Sequence, residues 1–521
     1  MDRNFVSIGF GRVVAAARQA GHDVRAVYFL DSAEDPSLSG RWWKQKTGVN
    51  FSVNYARNDS AFRVFAQETA DSDVIAFSLM SVQRNIAVRL IEEIRRINPS
   101  ARIIVGGYHP TLDPEDAISF SDIIVRGEGE RVFVKLLDTI KEGLRTSDIP
   151  NTWSRENGTV RKNPAMPLMT PSEMEQMPFM EYSLENTFIF SYSRARMKKT
   201  DREALLQQVG TTYNTIWSVG CPYRCTFCSH AKLADFERGY AQYRGPSPSY
   251  IIEEIKRVKK MFPVEYVIFY DSNFLGRPLP DIIDFSERFK REIGVKIVLS
   301  GVNPVSVTEE KMDPLIEGGL VRMKVGIEAG NEAALRLYGR AADKRQISRA
   351  AEIFSRYRKR MAAPAFEMIL DNPYETVGNL MDTVDFLDSL PGPFTLNLFS
   401  LQFMPYTSLS ENSVNAKRVA EHKEKEYMFS YSPTAINNLI SLFAIFNPPR
   451  FIVSILKRFI KGREVKVHPA VKTLLFKLML FRRAIDQARV GDYSTFPSSI
   501  MLMHHWVKGK TPLFANRHRT G

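Results

Sequence analysis

The three cysteines of this 521-residue chain lie within eight residues, in the segment WSVGCPYRCTFCSH at 217–230. Cys221, Cys225 and Cys228 have the spacing CxxxCxxC, which folds a loop so that three thiolates converge on one centre. Soft thiolates select zinc or iron–sulfur clusters over hard cations. His230 could complete a closed Cys3His zinc site. A four-iron four-sulfur cluster held by three cysteines would instead leave one iron open to a small molecule.

The residues around the cysteines alternate between strand and helix patterns. Between residues 206 and 410 the predicted strands are NTIWSVG, VEYVIFYD, VKIVLSGV, VRMKVGIEAG, AFEMILD and FTLNLFSLQF. Six strand–helix repeats predict a partial (β/α)6 TIM-like barrel that is not fully closed, with its chemistry at the carboxyl ends of the strands. Cys221 directly follows the first strand. This position favours an open cluster, because structural zinc sites usually join two separate ligand pairs.

A second alternating pattern occupies residues 1–140. Its predicted strands are DVRAVYFL, DVIAFSLMS, ARIIVGG and SDIIVRGEGE. The pattern predicts an α/β domain with a doubly wound, Rossmann-like parallel sheet, in which ligands bind beyond the carboxyl ends of the strands. Those ends lie at 78–81, 106–110 and 126–130.

Two further segments complete the predicted organisation. Residues 141–205 form a connector with a hairpin, because Asn157 and Gly158 lie between strand-like residues, a strong type I′ turn signal. Residues 411–521 are predicted to form a basic, mostly helical domain. Residues 450–521 contain fifteen Lys or Arg and three acidic residues, and so carry nearly all of the net charge of +13. Such a region could contact an anionic membrane surface, an acidic substrate or nucleic acid, or pack as a solvated helical domain.

Composition restricts the class of protein. With 44% hydrophobic and 25% charged residues, the chain is typical of a folded globular protein. Three cysteines cannot form a full disulfide framework and no secretory signal is recognisable, so a cytoplasmic location is expected, with peripheral membrane contact as an option. The longest apolar stretches are too short to span a bilayer. No base-reading module is recognisable, so nucleic acid is not an expected partner.

The cysteine spacing, with Phe227 before the last cysteine, resembles the signature of the radical S-adenosylmethionine (SAM) superfamily. IFYDSNF (268–274), GIEAGNE (326–332), MILDNPYET (368–376) and LQFMPYTSL resemble further motifs of that family, in the family's order. The family often has two acids where this chain has Asp271 and Ser272, and many relatives have Gly at the position of Asp371. The resemblance implies a four-iron four-sulfur cluster on the three cysteines, with SAM on its open iron. The residues that it implies for SAM are Phe227, Asp271, Ser272, Asn273, Glu328, Met368 and Asp371.

The segments AGHDV, DVIAFSLMS, IIVGGYHP and VRGEGE resemble the cobalamin-binding module of one large radical SAM subfamily. No DxHxxG motif is present, so the resemblance implies that no histidine serves as the lower ligand of cobalt. His109 is expected either in the groove for the nucleotide tail or on a surface loop. The residues implied for cobalamin are Ser78, Met80, Gly106, Gly107, Tyr108, His109, Gly127, Glu128 and Gly129. The resemblance covers roughly residues 1–410. The segment MDRNFVSIGFG at 1–11 lacks the first strand that is usual in the family, so that either the sheet begins one strand short or the cobalamin site is compromised.

The resemblance implies an enzyme. The leading hypothesis is methylation of an unactivated carbon through a 5′-deoxyadenosyl radical and methylcobalamin. Rearrangement or cyclisation without methyl transfer is the alternative within the family, and a zinc-stabilised binding protein is the alternative of another class. Radical methylthiolation is disfavoured, because its enzymes use additional cysteines and none remain here. The expected partners are a small-molecule substrate, with lipid-like or anionic character as an option, and an electron donor such as flavodoxin or ferredoxin.

Overall fold

Three β-sheets flanked by helices form the part of the chain that the computed structural model describes. That part comprises residues 7–30, 60–180, 184–237, 239–404, 406–411, 431–446, 448–460 and 465–507. The strands are β1 Ala26–Leu30, β2 Val74–Ser78, β3 Arg102–Gly106, β4 Ile123–Val125, β5 Thr152–Glu156, β6 Thr159–Lys162, β7 Thr187–Ser191, β8 Arg196–Lys199, β9 Thr212–Thr215, β10 Tyr266–Phe269, β11 Lys296–Val302, β12 Leu320–Glu328, β13 Ala365–Leu370 and β14 Thr395–Ser400. The α-helices are α1 Ile8–Gln19, α2 Ser60–Glu68, α3 Arg84–Ile97, α4 Tyr108–Leu112, α5 Pro114–Phe120, α6 Glu130–Lys141, α7 Pro171–Gln176, α8 Arg202–Val209, α9 Ser229–Phe236, α10 Pro248–Met261, α11 Leu279–Arg288, α12 Glu309–Gly318, α13 Glu332–Leu337, α14 Lys344–Arg356, α15 Val377–Ser389, α16 Ser408–Glu411, α17 Ala435–Ile445, α18 Arg450–Ile460, α19 Pro469–Arg489 and α20 Ser498–Val507.

The largest sheet is the six-stranded one that follows the predicted strand–helix repeats. Its order is β14-β13-β12-β11-β10-β9, and all neighbouring strands are parallel. Its strands are rich in Val, Ile, Leu and Phe because helices cover one face while the other face closes towards the barrel interior. β9 and β14 are not paired with each other, so the barrel is open, as predicted. The carboxyl ends of all six strands therefore meet at one edge.

The second sheet forms the core of the N-terminal α/β domain. Its order is β2-β3-β4-β5-β6, with β2, β3 and β4 parallel and β5 and β6 antiparallel. The predicted hairpin forms, with Asn157 and Gly158 at positive φ in the turn. It belongs to this sheet, so the sheet is mixed where the sequence predicts only parallel strands.

β1 is placed differently from the prediction. It does not pair with β2 but lies parallel to β7 in a separate sheet of order β1-β7-β8. Phe29 of β1 stacks on Phe190 of β7, with ring centroids 5.2 Å apart, and also contacts Phe62 and Phe65 of α2. This aromatic cluster supplies the apolar burial that pairs β1 with a strand about 160 residues later in the chain.

The C-terminal helices cover the open edge of the barrel sheet. α17 packs on β14, and both α18 and α19 pack on α17. The side chain of Thr395 in β14 donates a hydrogen bond to the carbonyl of Ala444 at 3.0 Å. Beyond α19 the chain passes the amino ends of the barrel strands, where Arg322 donates to buried Asp492 at 2.6 Å. The region is helical, as predicted. Among the described residues, no helix has both the length and the apolar character needed to cross a membrane.

Candidate functional site

The cysteine loop begins where β9 ends, at the carboxyl edge of the barrel. Gly220 has φ of 93°, and a Cβ there would collide with the carbonyl oxygen of Gln242, so only glycine permits this close approach. The amide of Cys221 then donates to the carbonyl of Tyr240 at 3.0 Å. Cys221 and Cys225 are buried and Cys228 is half-buried. The loop is thus fixed by its backbone, with its thiols held inside the protein.

Asp271 anchors the entry to this loop from the neighbouring strand. Its carboxylate accepts hydrogen bonds from the amides of Trp217 and Ser218 at 3.1 and 2.6 Å, and from the Ser218 hydroxyl at 2.5 Å. Burial raises the pKa of Asp271, and these hydrogen bonds oppose the shift. Both carboxylate oxygens accept from the protein, so the contacts give Asp271 a positioning role. Its predicted contact with SAM stays a prediction.

Arg340 faces the cysteine loop from the segment after α13. Its Nη1 lies 3.3 Å from Sγ of Cys225 and 3.8 Å from Oε1 of Glu328, and the guanidinium also donates to the Gly326 carbonyl at 2.5 Å. Burial raises the pKa of the Cys228 thiol to about 11, so buried thiolates at this site need compensating positive charge. Arg340 supplies one such charge, and a bound metal centre would supply the rest. This donor set fits a cluster.

Glu328 ends β12 beside this arginine. Its φ of 64° is unusual for a residue with a side chain and marks a backbone held by its surroundings. Burial raises the pKa of Glu328 to about 7, against the lowering effect of Arg340 and with a further raising effect of Glu367. Met368 of β13 is the register partner of Glu328 and is buried. These two predicted SAM residues are therefore adjacent, at the edge that carries the cysteine loop.

The other predicted SAM residues divide between two places. Phe227 lies within the cysteine loop and packs edge-on against Tyr338, with ring centroids 5.3 Å apart. Ser272 lies 3.3 Å from Nε2 of His230, and Asn273 donates to the Tyr243 hydroxyl at 2.9 Å.

Asp371 is bonded to three groups outside the cysteine loop. Its carboxylate accepts hydrogen bonds from the Ser400 hydroxyl at 2.9 Å, from the backbone amide of Ser432 at 2.8 Å and from the side-chain amide of Asn437 at 3.0 Å. It therefore joins β13 to the C-terminal region. Its predicted role at SAM stays a prediction.

His230 does not complete a zinc site. Its Nδ1 lies 2.9 Å from the Tyr240 hydroxyl and its Nε2 lies 3.3 Å from the Ser272 hydroxyl, so both ring nitrogens are engaged. Within the described ranges, no group of three His, Cys, Asp or Glu side chains is placed to hold a single metal ion. A zinc site requires four donors about 2.3 Å or less from one point, whereas a four-iron cluster distributes its cysteines over separate irons. The arrangement fits the cluster better.

The loops after β2 and β3 lie next to the cysteine loop. Helix α4 contacts α9, and the ring of Tyr108 meets His230 edge-on with centroids 6.2 Å apart. Gly107 has φ of 102°, and a Cβ there would lie 2.8 Å from the Leu79 carbonyl oxygen. Ser78 and Gly106 are register partners at the ends of their strands, and Met80 beyond them is exposed. The predicted cobalamin residues of these two loops thus share one edge, facing the barrel.

His109 is buried inside the N-terminal domain. Its Nε2 lies 2.9 Å from Asp116 and its Nδ1 lies 3.3 Å from the Ser81 hydroxyl, while its ring stacks on Phe120. One of the two expected placements, a surface loop, is therefore wrong. With both nitrogens engaged, His109 is not available as a cobalt ligand in this arrangement.

Residues 127–129 form a second contact between the two domains. Glu128 accepts from Arg244 at 2.9 Å and from the Met169 amide at 2.8 Å. Gly127 donates to the Thr111 hydroxyl at 2.9 Å and lies against the carboxylate of Glu237, and Gly129 precedes α6. The sequence motifs predict cobalamin contacts for these residues but do not identify Arg244, Glu237 or Arg340. No motif marks these three, because their importance depends on contacts with distant segments.

Two domain families match this chain. Residues 4–137 match the B12 binding domain, and residues 215–387 match the Radical SAM superfamily. The first match contains the loops after β2, β3 and β4. The second contains the cysteine loop, Asp271, Glu328 and Arg340.

Curated relatives cover part of the chain. It is 27% identical to the uncharacterized methyltransferase PH0819 of Pyrococcus horikoshii over 280 residues, a stretch that covers 53% of this chain and 56% of the relative. It is 25% identical over 297 residues, 55% of this chain and 49% of the relative, to the anaerobic magnesium-protoporphyrin IX monomethyl ester cyclase of Rubrivivax gelatinosus. It is 23% identical over 337 residues, 62% of this chain and 53% of the relative, to the hopanoid C-3 methylase of Methylococcus capsulatus. The chain spans about half the length of the curated relatives it matches.

Two solved structures share the fold. The radical SAM methyltransferase TsrM of Kitasatospora setae, with tryptophan substrate and a SAM analogue bound, has a TM-score of 0.59 at 16% identity, covering 78% of this chain and 74% of the other. The cobalamin-dependent SAM radical enzyme OxsB, with aqua-cobalamin and SAM bound, has a TM-score of 0.56 at 18% identity, covering 95% of this chain and 76% of the other. At these identities the likeness is one of fold.

Proposed function

We propose that this chain, which carries a B12-binding domain followed by a radical SAM domain, is a cobalamin-dependent radical SAM methyltransferase acting on an unactivated carbon of a small molecule. The observation that carries the proposal is the contact of Tyr108 with His230, which brings the loops after β2 and β3 against the cysteine loop. Methyl transfer to a carbon radical requires both cofactors to face one substrate. When bound, the cluster with SAM supplies the radical and cobalamin supplies the methyl group.

The residues of the chain provide geometry, charge and exclusion of water. Asp271 fixes the entry of the cysteine loop, and Arg340 donates to the Cys225 sulfur. The Arg244–Glu128 ion pair, whose side chains are 11% and 18% exposed, holds the two domains together beside the site. Preorganised positions of this kind lower the cost of bringing reacting atoms together.

The same cofactors support a second candidate function, cyclisation or rearrangement without methyl transfer. The Rubrivivax relative, named as a cyclase, matches the chain over nearly the same length as the methyltransferase relative. Of the three relatives described above, two carry the name of a methyltransferase or methylase, which supports methyl transfer as the first choice. The mass of the product separates the two functions.

We propose a lipid-like substrate, supported by the apolar surface of the C-terminal helices and by the name of the hopanoid relative. A low-potential electron donor of the flavodoxin or ferredoxin type supplies electrons, and the C-terminal region makes peripheral contact with a membrane. The assignments of Ser78, Met80, 106–109 and 127–129 to cobalamin belong to the same proposal, as do the domain boundaries at 205 and 410.

Anaerobic reconstitution tests this function. The full chain is loaded with iron, sulfide and cobalamin, reduced, and incubated with SAM and a panel of polycyclic lipids. Methyl transfer predicts formation of both 5′-deoxyadenosine and S-adenosylhomocysteine, and a product heavier by one methylene. Cys225→Ala is the matched control and should form no 5′-deoxyadenosine. Deoxyadenosine with a product of unchanged mass, or two hydrogens lighter, would support the second candidate instead.

A further inference from the structure

Helix α18 has an apolar face that no described residue covers. Phe451, Ile455 and Phe459 recur every four residues, so they lie along one side of the helix. All three are exposed, and Phe459 is 82% exposed. The opposite side carries Val453 and Ile460, which are buried. The helix therefore has two apolar faces, and only one of them packs on the rest of the protein.

Helix α19 repeats this arrangement. Leu474, Leu478, Phe481 and Ile485 follow one another at intervals of four, three and four residues, which places them on one face. All are exposed, with Phe481 at 67%, while Met479 is buried. We call the outward side chains of Phe451, Ile455, Phe459, Leu474, Leu478 and Phe481 the C-terminal apolar surface. Exposed rows of large apolar side chains such as those on these two helices are uncommon on monomeric soluble proteins and mark a binding surface.

Cations border the C-terminal apolar surface. Arg458, Lys466 and Lys477 are exposed and make no ion pair with any described residue. Residues 450–521 contain fifteen Lys or Arg and three acidic residues. The occupant of this surface must therefore be apolar where it meets the phenylalanines and negatively charged around them.

We infer that the C-terminal apolar surface docks on an anionic lipid bilayer, with its phenylalanines and leucines among the acyl chains and its lysines and arginines at the phosphates. Helices with Phe and Leu on one face and Lys and Arg beside it lie in the plane of such an interface. A second copy of the chain fits less well, because a two-fold contact would bring two strongly basic surfaces together. A protein partner also fits less well, because lysine is depleted in protein interfaces.

The surface lies beside the open edge of the barrel. α17 packs on β14, and Arg483 of α19 also donates to the Thr395 hydroxyl of β14 at 3.2 Å. The segment before α17 reaches the carboxyl edge through the bonds of Asp371 to Ser432 and Asn437. Docking would bring this edge close to the bilayer, where a lipid-like substrate is dissolved. This consequence rests on the proposed reaction, whereas the docking only specifies the membrane contact proposed above and does not depend on the chemistry.

Vesicle sedimentation with the full-length, cluster-loaded chain tests the inference. The vesicles are phosphatidylcholine alone, and phosphatidylcholine mixed with phosphatidylglycerol. Binding is expected to the mixed vesicles only and to weaken with salt. Phe459→Ser combined with Phe481→Ser should weaken binding at least about tenfold, as should Arg458→Glu combined with Lys477→Glu. Leu144→Ser and Lys141→Glu, at exposed positions far from the surface in sequence, should bind as the unaltered chain does.

Two readouts separate the docking from the reaction and from folding. The unaltered chain should cleave SAM to 5′-deoxyadenosine, and each variant should retain this activity. Docking without cleavage in the unaltered chain would count against the proposed function alone. Hydrogen exchange on the unaltered chain should show protection of residues 450–460 and 469–489 when anionic vesicles are added. No protection, equal binding to both kinds of vesicle, or dimerisation that the phenylalanine variants abolish would overturn the inference.

Discussion

The guanidinium of Arg340 lies 3.3 Å from the sulfur of Cys225, although 115 residues separate them in the chain. An N–H group donated to a thiolate ligand stabilises the reduced form of an iron–sulfur cluster, because reduction adds negative charge. The arginine is also 3.8 Å from Glu328, so it acts on two predicted cofactor residues at once. This contact makes Arg340 a positioning residue for the proposed cluster.

Arg340→Gln should lower the reduction potential of the cluster. Loss of one hydrogen bond to a charged sulfur is worth about 1.4 kcal/mol, which for one electron corresponds to about 60 mV. A redox titration followed by electron paramagnetic resonance measures the potential. Arg336→Gln, at an exposed position on α13, is the control and should leave the potential unchanged. An unchanged potential in Arg340→Gln would show that the arginine has no influence on the cluster.

Asp271→Ala should loosen the cysteine loop. The substitution leaves the buried amides of Trp217 and Ser218 without their acceptor, at a cost of about 1–3 kcal/mol each. We expect a lower thermal unfolding midpoint and less iron per chain after reconstitution. Asp284→Asn, at a half-buried position on α11 that pairs with Arg288, should retain full iron loading. Full loading in Asp271→Ala would contradict the anchoring role.

Glu237 should make stability depend on pH. It is buried at the domain contact, and its Oε1 has no hydrogen-bond partner in the described part of the chain. Burial raises the pKa of Glu237 to about 7, with a further raising effect of Glu128 and an opposing effect of Arg244 and Arg126. The folded chain therefore holds this proton more tightly than the unfolded chain. The stability that the protonated Glu237 carboxyl contributes is complete below about pH 4.5 and is lost as pH rises to about 7.

Glu237→Gln removes that titration. The variant should match the unaltered chain at pH 5 and exceed its unfolding free energy by about 2 kcal/mol at pH 8. Guanidinium unfolding at the two pH values measures the difference. Glu332→Gln, at an exposed position, should leave the pH dependence as it is. A parallel loss of stability with pH in Glu237→Gln and in the unaltered chain would assign the dependence to other groups.

His109→Ala should leave the cobalt coordination unchanged. The imidazole is engaged with Asp116 and Ser81, so its removal costs hydrogen bonds worth about 1–3 kcal/mol of stability but no cobalt ligand. Electron paramagnetic resonance of reduced, bound cobalamin should show no nitrogen splitting from a histidine before or after the substitution. Splitting that disappears in His109→Ala would show that the histidine leaves its present partners to bind cobalt.

The barrel could be predicted from sequence because its signals are local. Each strand is a short apolar run that ends at a polar or glycine residue, and six such runs in order give the open parallel sheet. The partner of β1 could not be predicted, because the contact of Phe29 with Phe190 joins segments about 160 residues apart in the chain. Arg340 was missed for the same reason, since its contacts with Cys225 and Glu328 join separate segments. Sequence thus predicts the edge where the site lies, and folding decides which additional side chains reach it.

The identity of the metal centre at Cys221, Cys225 and Cys228 tests the account most directly. Mössbauer spectroscopy and electron-nuclear double resonance of anaerobically prepared protein, with 57Fe and with SAM labelled at its amino nitrogen, measure both the cluster and its fourth ligand. We predict a four-iron four-sulfur cluster with one iron that binds the labelled nitrogen. Zinc without iron, or a cluster whose four irons are all held by protein ligands, would contradict the account.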